Sequence, residues 1–268
     1  KAVAVAALLF FFNGGLGFLY DFDLAFADHF ARVKEIFTGY YKTPANQPDL
    51  NLRFSNVIAD LMLPQRALLG GWAMGIPALY LLISSVREKS YRQTALLALW
   101  AAALPLVHTH TFLALALFSG GYLLGNIIEH REDRCGILLR AGLYLAVVLA
   151  LALPQLVGNA VRQTLEGGAL RFQFNWVNNS GGRGFKDGYF WFWVKNAGLP
   201  FILVVCACLN AGRRGHLDIV LGMTAIYAVA ETILFQPNEY DNNKLFYIWF
   251  MFAMILAADH GSMLMQRL

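Results

Sequence analysis

The stretch PNEYDNNKLFYIWFMFAMILAA, residues 237–258, changes abruptly from polar to apolar. From Leu245 onward it consists almost entirely of aliphatic and aromatic side chains, which is typical of a helix that crosses roughly 30 Å of hydrocarbon. Comparable apolar blocks recur along the chain. We predict crossing helices at about 2–20, 67–86, 93–107, 109–128, 138–157, 189–209, 217–236 and 244–260. The pattern therefore predicts an all-α, polytopic transmembrane helical bundle with about eight crossings, forming a single transmembrane domain over residues 1–268.

The composition supports a membrane protein and argues against two other classes. Of the 268 residues, 58% are AVILMFWYC and only 14% are charged, whereas soluble domains contain roughly 45–50% apolar residues even with glycine included. A soluble domain could not bury that much apolar surface. The 21 Lys and Arg against 17 Asp and Glu leave a net charge of +4 without a long basic run, so no nucleic-acid partner is expected.

The distribution of basic residues predicts sidedness. The short connections 87–92, 129–140 and 210–216 are the ones dense in Lys and Arg, and such connections collect on the cytoplasmic side. They share a face only if residues 93–128 cross twice rather than forming one long kinked helix. Both termini are then cytoplasmic, and 21–66 and 158–188 are extracytoplasmic loops of a protein of the plasma membrane or endoplasmic reticulum.

The 46-residue connection 21–66 is long for a link between two spans, and loops of this length often carry function. Residues 24–37 have apolar side chains at helical spacing, which favours a short amphipathic helix at the membrane surface. Asp21, Asp23 and Asp28 are the carboxylates at its start. Asp21 or Asp23 can cap this helix, or one of the three carboxylates can act as a general base or metal ligand.

Arg66 follows Pro64 at the start of a predicted span. A guanidinium at a helix start can grip a phosphate with two hydrogen bonds, and Arg53 could assist it. The alternative is that Arg66 extends to the headgroup region. His108 and His110 flank the turn before the fourth span, where they could bind a phosphate or a sugar hydroxyl, or satisfy helix ends. Zinc is not expected there, because no cysteine or carboxylate stands at ligand spacing.

The last polar segment, residues 236–244, precedes the final span directly. We predict that Asp241 or Asn242 caps this helix. Lys244 would then lie in its first turn, where the helix dipole disfavours a cation. Two explanations stay open: Lys244 binds an anion, with Asn242 nearby, or it pairs with Glu239 or Asp241. A divalent cation at Glu239 or Asp241 is a further option.

Two polar features lie at or near the predicted spans. Glu231 is an acid within the seventh span and needs a partner, for which Lys195 and Asn196 are candidates. In the preceding long loop, Asn178-Asn179-Ser180 fits the glycan-acceptor pattern, which matters only in a eukaryotic lumen.

With these residues in view, the chain resembles the membrane glycosyltransferases of the GT-C fold. The resemblance rests on the order of NGGLGF (13–18), LPQR (63–66), the pair His108 and His110, and PNEYDNNKLFYIW (237–249). It implies a GT-C-like fold and transfer of a sugar from a polyprenyl-phosphate carrier to an acceptor at the extracytoplasmic or luminal face. The basic connections select the same face independently.

The resemblance also implies roles for particular residues. In that fold the catalytic acid usually lies in the first extracytoplasmic loop, which here implies Asp21, Asp23 or Asp28. Arg66, Lys244 and His108 would hold the lipid phosphate. GT-C enzymes have more spans than these eight, and the chain begins at Lys1 rather than Met. A missing N-terminal segment or a partner subunit is therefore expected.

Two other functions stay open at this point. A non-catalytic membrane subunit or lipid-binding scaffold could keep a GT-C-like shape without the catalytic acid. A transporter is the third possibility, although polar residues gather at one predicted surface rather than at the midplane, where transporters bind their substrates.

Overall fold

The computed structural model describes residues 1–21, 38, 45–161, 170–179, 184–236 and 238–267. These ranges are largely helical, and their only ladder is the antiparallel pair β1 (Arg171–Phe172) and β2 (Ile233–Leu234). The predicted all-α fold is confirmed. In chain order the α-helices are α1 (Ala2–Phe11), α2 (Phe18–Asp21), α3 (Arg66–Arg87), α4 (Tyr91–Ala103), α5 (Thr109–Glu129), α6 (Arg134–Gln155), α7 (Tyr189–Ala197), α8 (Leu199–Leu209), α9 (Ala211–Arg214), α10 (Leu217–Thr232) and α11 (Glu239–Arg267).

Shorter helical turns connect these elements. Within the described ranges, 3-10 turns are formed by Pro48–Leu50, Leu104–Leu106, Arg131–Asp133 and Trp176–Asn179. Two π-helices occupy Val57–Met62 and Leu156–Val161. The predicted amphipathic helix over residues 24–37 lies outside the described residues.

Among the residues that the structure describes, four helical stretches are long and apolar enough to cross a membrane: Arg66–Arg87, Thr109–Glu129, Arg131–Gly158 and Asp241–Gln266. The pair α7 and α8 makes a fifth if it is one span, although it is bent by 118°. The other three predicted spans contain helices of only 10, 13 and 16 residues, namely α1, α4 and α10. The eight apolar blocks therefore correspond to four or five spans of full length and three shorter helices.

Local chemistry explains why the three helices are short. The chain leaves α1 shortly before Gly15, whose φ of +57° is left-handed. Helix α4 passes into a 3-10 turn that contains Pro105, whose ring removes a backbone donor. At the end of α10, Ile233 is extended and pairs with β1. Because the next helix, α5, begins at Thr109 after this 3-10 turn and is capped by His108, residues 93–128 form two helices rather than one.

The chain forms two compact units. The first unit comprises Lys1–Pro64, Gln173–Leu209 and Phe250–Leu268, and the second comprises Gln65–Phe172 and Asn210–Trp249. Each unit is built from separate stretches of chain, so neither corresponds to a continuous segment of the sequence.

In the second unit, α5 and α10 pack closely because small residues line their contact. A Cβ added at Gly121 would lie 2.3 Å from the Leu221 carbonyl oxygen, and one added at Gly125 would lie 2.3 Å from Asp218 Cα. On the facing side, Gly222 lies against Phe118. Small residues at such positions let two membrane helices approach through their backbones.

In the first unit, the predicted NGGLGF motif has a structural role. The side-chain oxygen of Asn13 accepts from Val57 N, and its amide donates to Ser55 O, which ties the end of α1 to the π-helix. Gly15 lies so close to α7 that a Cβ would be 2.3 Å from Asn196 O. The motif therefore joins α1, the π-helix and α7.

Candidate functional site

Arg53 is held at both its backbone and its side chain. Its backbone N–H donates to Asn196 Oδ1 at 2.7 Å, and the same oxygen accepts from Phe54 N at 3.1 Å. The Arg53 Nε donates to Asn51 Oδ1 at 3.2 Å. Asn51 itself adopts a left-handed conformation with φ 57°. Arg53 is therefore a positioned arginine rather than a freely rotating surface side chain.

A buried polar network supports Asn51. Its amide nitrogen donates to Asn178 Oδ1 and to Asp187 Oδ2, each at 2.8 Å. Asp187 is also paired with Lys195, which is 3% exposed and donates to the Leu50 carbonyl oxygen at 2.7 Å. Buried Lys195 and half-buried Asp187 thus each have both an ionic partner and further hydrogen bonds, the condition under which a largely desolvated ion pair is tolerated.

The charge state of Asp187 follows from these contacts. Burial acts to raise the pKa of this carboxyl, but hydrogen bonds from Lys195 and Asn51 and the charge of Lys195 outweigh it. The pKa of Asp187 is consequently held below its usual range. Asp187 is an anion at neutral pH, and it forms an ion pair with Lys195.

Arg53 keeps unused hydrogen-bonding capacity. Within the described part of the chain, only its Nε is engaged, and the two terminal amino groups of the guanidinium form no hydrogen bond or ion pair. A guanidinium with a free fork is suited to bind a phosphate or carboxylate through two parallel hydrogen bonds. Arg53 is therefore the best-prepared anion-binding group among the predicted residues.

An open apolar groove lies in the same unit, between α1 and the π-helix Val57–Met62. It encloses about 600 Å³. The residues that line it are Ala4, Ala7, Leu8, Phe11, Phe12, Asn56, Ile58, Ala59 and Leu63. The side chain of Asn56 is engaged with the carbonyl oxygen of Phe11. The groove therefore offers an almost wholly apolar wall.

The groove begins close to Arg53 along the chain. Residues 53–56 have no helical or strand structure, and three residues of extended chain span at most about 10 Å. Asn56, one of the lining residues, therefore lies within about 10 Å of Arg53 measured between backbones. A cationic group and an apolar groove at this spacing match the two ends of an amphiphile.

Asp60 lies in the π-helix beside this groove and was not singled out in the sequence. Its carboxylate accepts from Asn56 N at 3.0 Å. Burial raises its pKa above the usual range, although hydrogen bonds from Asn56 and Ser55 act against the shift. A carboxylate with a raised pKa is a candidate proton acceptor. The sequence feature that could have identified Asp60 is its position as the one acidic residue within the apolar run VIADLM, residues 57–62.

His108 serves as the N-cap of α5. Its Nδ1 accepts from Thr111 N at 3.3 Å and lies 2.8 Å from Thr111 Oγ1. Burial, followed by the neighbouring His110 and the charge of Lys244, lowers the pKa of His108 to about 4. The two imidazole rings lie 5.5 Å apart. His108 is therefore neutral at pH 7, and it satisfies a helix end, as one of the two predictions proposed.

Lys244 pairs with Asp241 at 2.7 Å, so the internal ion pair is formed. The predicted start of the last helix is wrong, because α11 begins at Glu239 rather than after Asp241 or Asn242. Asn242 instead accepts from Phe235 N at 2.7 Å and thereby fastens α11 to the end of β2. With its charge met by Asp241, Lys244 is a weaker anion site than Arg53.

The remaining predicted residues are dispersed. Arg66 is the first residue of α3 and is exposed, and its side chain has no partner among the described residues. Asp21 ends α2, and Asp23 and Asp28 lie outside the described residues. Only the backbone of Glu239 is described.

Two interpretations of polar residues are corrected. Lys195 and Asn196 do not pair with Glu231, because Lys195 binds Asp187 and Asn196 holds the backbone of Arg53. Asn178 is 0% exposed, and its amide donates to Asp187 O at 2.8 Å. A glycan on that nitrogen is incompatible with the folded unit.

A metal site does not emerge from the described residues. Across these residues no group of three or more His, Cys, Asp and Glu side chains lies close enough to hold an ion. A divalent cation at Glu239 or Asp241 stays a prediction.

Comparison of the chain with protein-family models, with curated proteins and with solved structures gave no match. The candidate function therefore rests on the residues of this chain.

Proposed function

We propose that this chain is a membrane glycosyltransferase that binds a polyprenyl-phosphate sugar and transfers the sugar to an acceptor at the extracytoplasmic or luminal face. The observation that supports the proposal is that Arg53, whose guanidinium fork is free, stands three residues before Asn56, which lines the apolar groove of the same unit. A polyprenyl phosphate carries the complementary pair of groups, an anionic head and a long apolar tail.

The head of the lipid is matched by Arg53. Because Asp187 is paired with Lys195, the nearby carboxylate does not neutralise Arg53. The hydrogen bonds from Arg53 to Asn196 and Asn51 fix the guanidinium before a ligand arrives, which lowers the conformational entropy lost on binding. A phosphate would therefore meet a positioned cation.

The tail is matched by the groove. Each CH2 group that leaves water gains about 0.8 kcal/mol, and the aliphatic and aromatic lining offers no polar competitor apart from Asn56. Within a bilayer the driving force is smaller, since lipid tails are also apolar. There the groove would mainly orient the chain so that its phosphate reaches Arg53.

The transfer step needs a base and a charge-stabilising group. The acceptor hydroxyl oxygen attacks the anomeric carbon while the bond from that carbon to the phosphate oxygen breaks, and the hydroxyl proton passes to a carboxylate. Negative charge grows on the departing phosphate, and Arg53 would stabilise it more strongly in the transition state than in the bound substrate. Asp60 is the candidate base with a described side chain, beside the predicted Asp21, Asp23 and Asp28.

Binding of the lipid can be tested with purified protein in nanodiscs. Polyprenyl phosphate and the uncharged polyprenol are titrated against wild type, Arg53→Gln and Ala59→Trp, the last of which fills the groove. We expect Arg53→Gln to weaken only the phosphate, by about tenfold or 1.4 kcal/mol, and Ala59→Trp to weaken both ligands. Lys186→Gln is the matched control, because this exposed cation already donates to the carbonyl oxygens of Pro48 and Asp49.

Transfer is measured separately, with radiolabelled lipid-linked sugars and membranes that contain the protein. We expect Arg53→Gln and Asp60→Asn to reduce product while both proteins remain inserted. Equal phosphate affinity of wild type and Arg53→Gln would overturn the proposed site. Normal binding without any transfer by the wild type would favour a lipid-binding scaffold over an enzyme.

A further inference from the structure

The side-chain amide of Asn51 lies between a cation and a carboxylate. Its oxygen accepts from Arg53 Nε at 3.2 Å, and its nitrogen donates to Asp187 Oδ2 at 2.8 Å. Asn51 is only 1% exposed, so its amide is shielded from water. One amide group therefore separates two side chains of opposite charge, which would otherwise attract each other.

The orientation of this amide is fixed by the groups around it. Its nitrogen donates to three oxygens, namely Asn178 O at 3.2 Å, Asn178 Oδ1 at 2.8 Å and Asp187 Oδ2. The Asn178 side chain is itself held by the backbone of Asp187, whose N–H donates to Asn178 Oδ1 and whose carbonyl oxygen accepts from Asn178 Nδ2. A rotated Asn51 amide would turn its NH2 group toward a guanidinium, which has no acceptor. The oxygen of Asn51 therefore faces Arg53.

The backbone of Asn51 is held independently of its side chain. Its φ of 57° is left-handed, a conformation that asparagine adopts more readily than most residues and glycine adopts without strain. Its carbonyl oxygen accepts from Asn196 Nδ2 at 3.2 Å, and Asn196 also holds the backbone of Arg53. Replacing Asn51 by glycine should therefore remove the amide and keep the path of the chain.

Asp187 has an acceptor to spare for a guanidinium. Its Oδ2 is engaged by Lys195 and Asn51, whereas its Oδ1 accepts no hydrogen bond from any residue that the structure describes. An arginine that reaches a carboxylate readily pairs with it through two hydrogen bonds. Without the amide of Asn51, Arg53 would therefore turn its fork to Asp187 and lose it for other anions.

We infer that Asn51 is a positioning residue that keeps the guanidinium fork of Arg53 off Asp187 and open to an anionic ligand. Its amide gives the carboxylate a donor and the guanidinium an acceptor, so both charged groups are satisfied without meeting. Because the Nε of Arg53 is engaged, a ligand meets the two terminal amino groups. That the fork stays open follows from these contacts, whereas its use for a lipid phosphate rests on the proposed function.

The test measures the openness of the fork and its use separately. Openness is the rate at which phenylglyoxal modifies Arg53 in the purified chain, read by peptide mass spectrometry, since a guanidinium in an ion pair reacts more slowly. Exposed Arg92 serves as the internal reference. Use is the affinity for polyprenyl phosphate in nanodiscs. The variants are Asn51→Gly, Asn51→Gly with Asp187→Asn, and Asn51→Gly with Asp49→Asn, which removes an exposed carboxylate of the same unit.

We expect Asn51→Gly to slow the modification of Arg53 and to weaken phosphate binding by about tenfold. Adding Asp187→Asn should restore most of both, because the competing carboxylate is gone, whereas adding Asp49→Asn should restore neither. A purely structural role of Asn51 predicts instead that Asp187→Asn adds to the damage.

The rate in Asn51→Gly alone decides the inference even if the Asp187→Asn variant does not fold. An arginine that is merely released reacts faster than in wild type, so a faster or unchanged rate would overturn the positioning role, as would a folded Asp187→Asn double variant without recovery. The expected rates together with no phosphate binding by wild type would support the positioning role and refute the proposed function.

Discussion

The side-chain oxygen of Asn196 accepts hydrogen bonds from the backbone N–H groups of two consecutive residues, Arg53 at 2.7 Å and Phe54 at 3.1 Å. One amide on α7 thereby fixes both the candidate phosphate ligand and a core residue. The rings of Phe54 and Phe250 lie 5.1 Å apart. The position of Arg53 is therefore coupled to the packing of the first unit.

Asn196→Ala tests this coupling. The substitution leaves two backbone donors without their acceptor, and each buried unsatisfied donor costs about 1–3 kcal/mol. We expect a lower Tm in detergent and weaker binding of polyprenyl phosphate. Thr224→Ala, at an exposed position of α10, should change neither measurement. An unchanged Tm would show that the two donors find other partners.

Asp187 predicts a pH dependence of stability. Its folded pKa lies below the ordinary value of 3.8, so its contribution is fully present above that value. The contribution is lost as the pH falls through the folded pKa. Thermal unfolding measured between pH 7 and pH 3 should therefore show a steeper acid loss for wild type than for Asp187→Asn.

The same variant should also be less stable at pH 7, because it leaves Lys195 buried without its counterion, a loss of about 3–5 kcal/mol for a broken buried pair. Asp49→Asn is the control, since Asp49 is exposed and belongs to the same unit. Parallel acid profiles of wild type and Asp187→Asn would refute the assignment.

The two glycines of the NGG sequence should respond differently to alanine. Gly15 has φ +57°, and a Cβ there would lie 2.3 Å from Asn196 O, whereas a Cβ at Gly14 would have no atom within 4 Å. A left-handed residue other than glycine costs roughly 1–2 kcal/mol before any clash. We expect Gly15→Ala to lower the Tm strongly and Gly14→Ala to leave it nearly unchanged. Similar effects at both positions would contradict the close approach to α7.

A second matched pair of glycines tests the contact of α5 with α10. A Cβ at Gly125 would lie 2.3 Å from Asp218 Cα, whereas one at Gly120 would meet no atom within 4 Å. Gly125→Ala must separate the helices, and overpacking of this kind costs about 1–3 kcal/mol. Gly120→Ala should be neutral or slightly stabilising, since alanine is the better helix former. Disulfide cross-linking of introduced cysteine pairs between α5 and α10 would report the separation directly.

Hydropathy predicted where helices occur but not how long they are. Each of the eight apolar blocks contains a helix, because apolar composition and helical structure are linked in a membrane. The lengths depend on single residues that a window average conceals. Gly15, Pro105 and Ile233 end or redirect helices within apolar surroundings, so α1, α4 and α10 are shorter than their blocks.

The candidate site was less predictable for a related reason. Arg53 was identified only as an assistant to Arg66, because nothing in the local sequence shows that the distant Asn196 and the neighbouring Asn51 would position it. Lys195 and Asn196 were assigned to Glu231 on the basis of their place in apolar blocks. Their actual partners, Asp187 and Arg53, lie in polar connections whose folding depends on contacts between separate stretches of chain.

The bend at Gly198, where φ is +74°, has a consequence for how the polypeptide is threaded during biosynthesis. If α7 and α8 formed a re-entrant loop, the chain would leave the membrane on the side from which it entered. Arg213 and Arg214 would then lie outside the cell or in the lumen. If α7 and α8 together crossed the membrane, Arg213 and Arg214 would lie on the same side as the basic turns 87–92 and 129–140. Because the insertion machinery retains flanking arginines in the cytoplasm, a reporter enzyme fused after residue 216 should be active only in the cytoplasm. The bent pair would then be a full crossing in which Lys195 is held by Asp187 and the Leu50 carbonyl oxygen instead of facing the lipid.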